Sequence, residues 1–253
     1  MTARIVAVLN QKGGVGKTTT TVNLAHALAK RGKKITVVDL DPQSHLGVAL
    51  GQVSKQQTGI DEVMLGHCAF AQQLIPVRQN LNLIVAGPQL YEIEQLSSGG
   101  SHRGDLLRKT MAEGVGDAEI VLIDCPPSSG ILVANALFAV EELLIPMTSD
   151  YLALQGLSHL MGTIKKFETA LSRKYCLHLV ISRYVANRRL STDVLNTLKK
   201  YFPEQILATP IRETAALAEC PSFGKTIFEY RPGWRSAKDF NELATDFLEK
   251  RVM

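Results

Sequence analysis

The eight residues Lys12-Gly13-Gly14-Val15-Gly16-Lys17-Thr18-Thr19 put glycines, two lysines and adjacent hydroxyls into one short segment. Glycines let a backbone curl so that several N–H groups converge on a phosphate chain. A helix that follows such a loop presents its positive end to the same anion. In this spacing Lys17 reaches the β- and γ-phosphates and the Thr18 hydroxyl ligates Mg2+. The segment departs from G-x-x-x-x-G-K-[ST], because Gln11 stands at the first glycine position and Lys12 adds a lysine. A dinucleotide-binding turn is excluded, since Thr19 occupies the third glycine position of a series beginning Gly14-x-Gly16.

Three acids could complete the site. Asp39 and Asp41 lie in Asp39-Leu40-Asp41-Pro42-Gln43, and Asp124 precedes Cys125-Pro126-Pro127. Each follows or ends a β-rich apolar run. In a parallel sheet the carboxyl ends of the strands gather on one edge, where ligands bind. Acids there hold Mg2+ or its waters, or orient an attacking water. The competing role for a strand-end acid is to cap the next helix.

The elements that must position these residues are legible as alternation. Strands are expected at Arg4–Leu9, Lys34–Leu40, Leu81–Ala86, Ile120–Asp124, Glu142–Pro146 and Leu177–Ser182. Helices are expected over Gly16–Lys30, Gln155–Leu171 and Thr192–Tyr201, while Ser97–Gly104 reads as a mobile loop. The pattern predicts βαβ units and a single doubly wound α/β domain with a mostly parallel sheet flanked by helices. A chain of 253 residues with 45% hydrophobic and 21% charged residues suits such a domain. No apolar run approaches the roughly 18–20 residues of a membrane span, and the N-terminus lacks a signal-peptide pattern. Cys68, Cys125, Cys176 and Cys220 are dispersed, which reads as free thiols in a reducing cytosol.

Together the motifs K-G-G-V-G-K-T-T, V-V-D-L-D-P-Q and V-L-I-D-C-P-P-S resemble the ParA/Soj branch of the deviant Walker A ATPases, P-loop NTPases of the ParA/MinD superfamily. Leu152-Ala153-Leu154-Gln155-Gly156-Leu157 resembles that family's A-L-x-G-L segment. Pro221-Ser222-Phe223-Gly224-Lys225 with Glu229-Tyr230 resembles its C-terminal stretch. The resemblance implies an ATPase using ATP and Mg2+, weak alone and stimulated by a ParB-like or cargo-adaptor partner. It implies a homodimer on ATP binding, in which Lys12 crosses to the partner's phosphates and Gly13 stays small to allow close approach. Lys12, Lys17 and Asp41 would be catalytic, Asp41 by orienting water. Thr18, Asp41 and Asp124 would serve the metal. The loop from Lys12 through Thr19 would hold the nucleotide, with Arg183, Pro210 and Arg212 as candidates near the base. The ATP dimer would bind double-stranded DNA without sequence preference, giving a cytoplasmic, nucleoid-associated protein that positions a plasmid, a chromosome or a protein cargo.

The sequence departs from that family after Ser182. Arg183-Tyr184-Val185-Ala186-Asn187-Arg188 replaces M-Y-D-x-R-T, and Ala216–Ser222 lacks a preceding arginine common in the family. Arg183, Arg188, Arg189, Arg212 and Arg235 are the candidate replacements for DNA contact, since non-specific binding needs only cations facing phosphates. Nine Lys/Arg against five Asp/Glu between Arg183 and Arg235 carry the chain's whole net charge of +4. A membrane-cycling ATPase like MinD would need a basic amphipathic C-terminal helix, whereas Asp239–Met253 has four acids and two bases. A redox ATPase like nitrogenase iron protein would need paired cysteines, and Cys125 has no placed partner. A metabolic P-loop enzyme related to dethiobiotin synthetase fits the ParA-like ending poorly. With the first strand near residue 4, no N-terminal helix-turn-helix and no operator-specific binding are expected.

Overall fold

The computed structural model describes residues 3–52, 57–95, 104–186 and 188–253. The expected Ser97–Gly104 loop lies outside these residues except for Gly104. The strands are β1 (Arg4–Val8), β2 (Ile35–Asp39), β3 (Ile75–Arg78), β4 (Leu81–Ile84), β5 (Ile120–Asp124), β6 (Glu142–Thr148) and β7 (Cys176–Ser182). They form one sheet in the order β3-β4-β2-β5-β1-β6-β7. Every pairing is parallel except β3 with β4.

The central strands are continuous apolar runs because both faces of the sheet are covered. Alternate residues serve opposite cores. Ala7, Val38, Val121 and Ile123 join one cluster, while Val6, Val8, Val37 and Leu122 join the other. The first cluster is closed by α6 (Ile131–Ala139), α7 (Tyr151–Leu171) and α8 (Arg189–Tyr201). The second is closed by α1 (Lys17–Ala29) and α11 (Arg235–Glu249), with the short α2 (His45–Ala49), α9 (Ala215–Glu219) and α10 (Ile227–Tyr230). Short helices α3 (Ile60–Met64), α4 (Leu90–Gln95) and α5 (Leu106–Ala112) complete the chain order.

The strand after α2 and α3 was not expected. β3 is a half-buried antiparallel edge strand containing Pro76, with a register shift between Pro76 and Arg78. Proline is tolerated there because an edge strand has one unpaired side. α7 begins four residues before the expected Gln155, since Tyr151 and Leu152 are exposed apolar residues outside the core periodicity. α11 is amphipathic and buries Phe240, Leu243, Ala244 and Phe247 beside α1, so its apolar face is spent inside the domain. Among the described residues, no helix is long and apolar enough to cross a membrane. All four cysteines are free thiols.

The chain leaves β1 through α1 on one face of the sheet and leaves β5 through α6 on the other. β1 and β5 are neighbours in the sheet. Their following loops part, which opens a crevice at the carboxyl ends of these strands.

Candidate nucleotide site

The loop between β1 and α1 is set by its glycines and by two buried clasps. Gly14 has φ +72° and Gly16 has φ +87°, conformations that side chains resist. The buried Asn10 side chain donates to the Pro146 carbonyl at 2.8 Å and accepts from the Lys12 N–H at 3.0 Å. The Ser182 hydroxyl donates to the Val15 carbonyl at 2.6 Å. β6 and β7 thus hold the loop from beneath.

α1 has no side-chain cap and no acid in its first turn, which leaves its leading N–H groups for a ligand anion. A Cβ built at Gly13 or Gly14 meets nothing within 4 Å, so an open bay stands before the loop. Lys17 is buried, its Nζ donating to the Lys12 carbonyl at 3.4 Å. Burial lowers its pKa, while Asp124, Cys125 and Asp41 pull it back up. An ammonium dehydrated this way gains strongly from an incoming phosphate.

The acids divide into two roles. Asp39 is fully buried and caps α2: its Oδ2 accepts from the N–H groups of Leu46 at 3.1 Å and Gly47 at 3.4 Å. It therefore takes the capping role, and burial beside Asp124 raises its pKa well above the usual carboxylate value. Asp124 pairs in register with Asp39 on β2 and accepts from Thr18 Oγ1 at 2.6 Å and Thr21 Oγ1 at 3.3 Å. Burial pushes Asp124 up to about 7, against the opposing pull of Thr18 and Lys17. Asp41 is partly exposed at the crevice, its Oδ1 accepting from the Gln43 N–H at 3.0 Å. Hard oxygen donors around an under-neutralised buried carboxylate are the chemistry that suits Mg2+. Thr18, Asp41 and Asp124 fit that ion, and the bay before Gly13 and Gly14 fits a phosphate chain.

A cavity of about 280 Å³ continues from Gly14, Gly16 and Thr19 toward Arg183, Ile211, Arg212, Glu213 and Thr214. The turn expected near the base lines this cavity through Ile211–Thr214. Pro210 is not among the lining residues. Arg183 has φ +48°, pairs with Glu213 at 2.6 Å and donates to the Gly14 carbonyl at 3.4 Å. Arg212 is clasped by Asp239 through two side-chain hydrogen bonds. Both arginines therefore line this cavity. Arg188 lines an adjoining cavity with Lys12, Gly13 and Asp150. Arg189 is 97% exposed and Arg235, one turn before Asp239 on α11, is exposed.

Sequence reasoning missed Asp150. It caps α7 by accepting from the Ala153 N–H at 2.9 Å, and it holds the Lys12 ammonium at 3.0 and 3.1 Å. The signal for it is Thr148-Ser149-Asp150, an N-cap pattern before a long helix. Cys125 is fully buried with its thiol pKa raised by that burial, so it offers no accessible ligand for a metal cluster.

A family model described as an AAA domain matches residues 3–176. The sporulation initiation inhibitor protein Soj of Bacillus subtilis is 34% identical over 248 residues, spanning 96% of this chain and 97% of that protein. The chromosome partitioning protein ParA of Myxococcus xanthus is 32% identical over 250 residues, spanning 98% of this chain and 88% of that protein. The chain belongs to the ParA/Soj family of P-loop ATPases. A solved structure named cobyrinic acid a,c-diamide synthase from Mycobacterium smegmatis, bound to an ATP analog and magnesium, superposes with a TM-score of 0.82. It is 29% identical, covering 98% of this chain and 95% of that one.

Proposed function

We propose that this ParA/Soj-type ATPase is an ATP-driven DNA-associated positioning switch. ATP and Mg2+ load the bay, two loaded chains close face to face, and the closed dimer holds non-specific DNA until a partner protein stimulates hydrolysis. The carrying observation is the placement of the two lysines. Lys17 is buried beneath the loop, while Lys12 stands on the rim, about one-third exposed, in an ion pair with Asp150. Exposed pairs of this kind contribute about 0–1 kcal/mol. A triphosphate on a second chain is a stronger partner for Lys12 than Asp150 is.

Gly13 supports the same reading. Its φ is not in the left-handed region and an added Cβ would meet nothing inside the chain. A need for glycine there comes from what approaches from outside.

Within the loaded site, Lys17 and the α1 N–H groups neutralise the phosphates. Thr18 and Asp124 would hold the metal, and Asp41 would accept a hydrogen bond from the attacking water. When bound, Mg2+ would supply neutralisation of the charge that develops on the transferred phosphoryl group. Lys12 from the facing chain adds a cation as charge shifts to the leaving group. DNA is held through exposed arginines, Arg188, Arg189 and Arg235 foremost, because Arg183 and Arg212 are engaged within the bay. The buried apolar face of α11 disfavours the membrane-cycling alternative.

Retention on random duplex DNA against retention on anionic vesicles tests this reading. ATP-dependent capture on DNA is expected, weakening steeply with salt. Replacing Arg188, Arg189 and Arg235 together removes contacts from both chains of the dimer and should flatten the salt dependence by about five units of logarithmic slope. Capture on vesicles alone would overturn the proposal.

A further inference from the structure

We propose that Glu142, Cys176 and His178 form a binding site for a zinc-class divalent cation at the sheet edge opposite the phosphate loop. The sheet itself assembles these residues. Cys176 and His178 are two apart on β7, so both side chains leave the same face. Glu142 opens β6 and pairs in register with Cys176.

The three donor atoms lie within 4.8 Å of one another. His178 Nε2 is 3.0 Å from Glu142 Oε2 and 3.5 Å from Cys176 Sγ. Tetrahedral zinc with bonds of about 2.05 Å to nitrogen and oxygen and about 2.3 Å to sulfur requires separations of about 3.3 and about 3.6 Å. The observed distances sit within a few tenths of an ångström of those values. One imidazole proton cannot serve both neighbours well, whereas a cation in its place bonds all three.

The surroundings also suit a metal. Arg4 clasps both Glu142 oxygens at 2.7 Å and fixes the plane of the carboxylate. His178 is buried with its ring edge against Phe247, which fixes the imidazole. Cys176 is exposed, and a cavity of about 680 Å³ lined by Arg4, Glu142 and Cys176 leaves a fourth coordination position open to water. Thiolate and imidazole select zinc, cobalt or copper over magnesium. Binding releases one proton, from the Cys176 thiol. Arg4 limits affinity, since its positive charge shares the carboxylate.

The test uses the full, untagged, reduced chain and Co2+ as probe, with Zn2+ as competitor. One equivalent of Co2+ should give a thiolate-to-cobalt charge-transfer band that Zn2+ abolishes. Cys176→Ser should remove the band, His178→Gln should weaken binding at least about tenfold, and Cys68→Ser should leave it intact. Cys176 is exposed, so Cys176→Ser should bind nucleotide like the parent chain and thereby report that the fold is retained. Zn2+ should raise the thermal midpoint of the parent but not of Cys176→Ser. Absence of the band in the parent chain, or its persistence in Cys176→Ser, would overturn the site.

Discussion

The two ends of the central strands are built on opposite electrostatics. At the carboxyl ends, Asp39 and Asp124 are register neighbours buried together, and both carboxyls are pushed above their ordinary range. Lys17 beside them is dehydrated and its ammonium is pushed down. At the amino ends, burial of Glu142 is outweighed by hydrogen bonds from His178 and Arg4, which hold it at about 2. One end stores uncompensated charge and the other has settled its charges internally. Uncompensated charge around an open bay is what a ligand can relieve, which is why function concentrates there. A metal at the amino-end cluster must instead compete with ion pairs already made.

The largest test of this contrast removes the dehydrated cation. Lys17→Ala should cut nucleotide affinity by about 100-fold, consistent with loss of a charged hydrogen bond worth up to about 3 kcal/mol. Titration with a fluorescent ATP analogue reads this, and near-parental affinity would break the contrast. Next, Asp41→Ala should lower turnover by about 100-fold while nucleotide binding and the ATP-bound dimer persist. Turnover like the parent's in a phosphate-release assay would remove Asp41 from its role.

The two ends should also respond to pH with opposite signs. Folding holds a proton on Asp124 that the unfolded chain loses near pH 4, so this group's contribution to stability falls as pH rises from about 4 to about 7. Glu142 contributes fully above about pH 4.3 and loses its contribution as pH drops toward about 2. In nucleotide-free protein, urea midpoints should therefore rise at pH 8 for Asp124→Asn and fall at pH 7 for Glu142→Gln. Equal responses of the two variants would contradict the assignment. The smallest effect belongs to Asp150→Asn, which keeps the α7 cap but weakens the hold on Lys12. With two such pairs given up per dimer, it should tighten the ATP dimer by no more than about 30-fold in sedimentation equilibrium.

Most of the machinery was legible because it depends on local signals. Continuous apolar runs gave β1, β2, β5, β6 and β7 to within a few residues, and the glycine-rich loop placed Lys17 and Thr18 at the start of α1. β3 was missed because Ile75-Pro76-Val77-Arg78 is a half-buried edge with a proline, which lacks a buried strand's continuous pattern. Of the two acids, Asp39 carries the greater expectation of a capping role, and the turn into α2 aims that carboxylate at helix N–H groups. Asp150 and Ser182 act on Lys12 and Val15 from more than a hundred residues away. No local pattern announces such contacts, because the sheet order creates them. The same holds for Cys176 and His178, whose proximity to Glu142 comes from β6–β7 register.

The central claim is that Lys12 leaves Asp150 to join two loaded chains. Sedimentation velocity of the parent chain and Lys12→Ala, each with Mg2+ and a non-hydrolysable ATP analogue, tests it most directly. The parent should sediment as a dimer, while Lys12→Ala should bind the analogue and remain a monomer. A monomeric parent, or a variant that dimerises as well as the parent, would contradict the account.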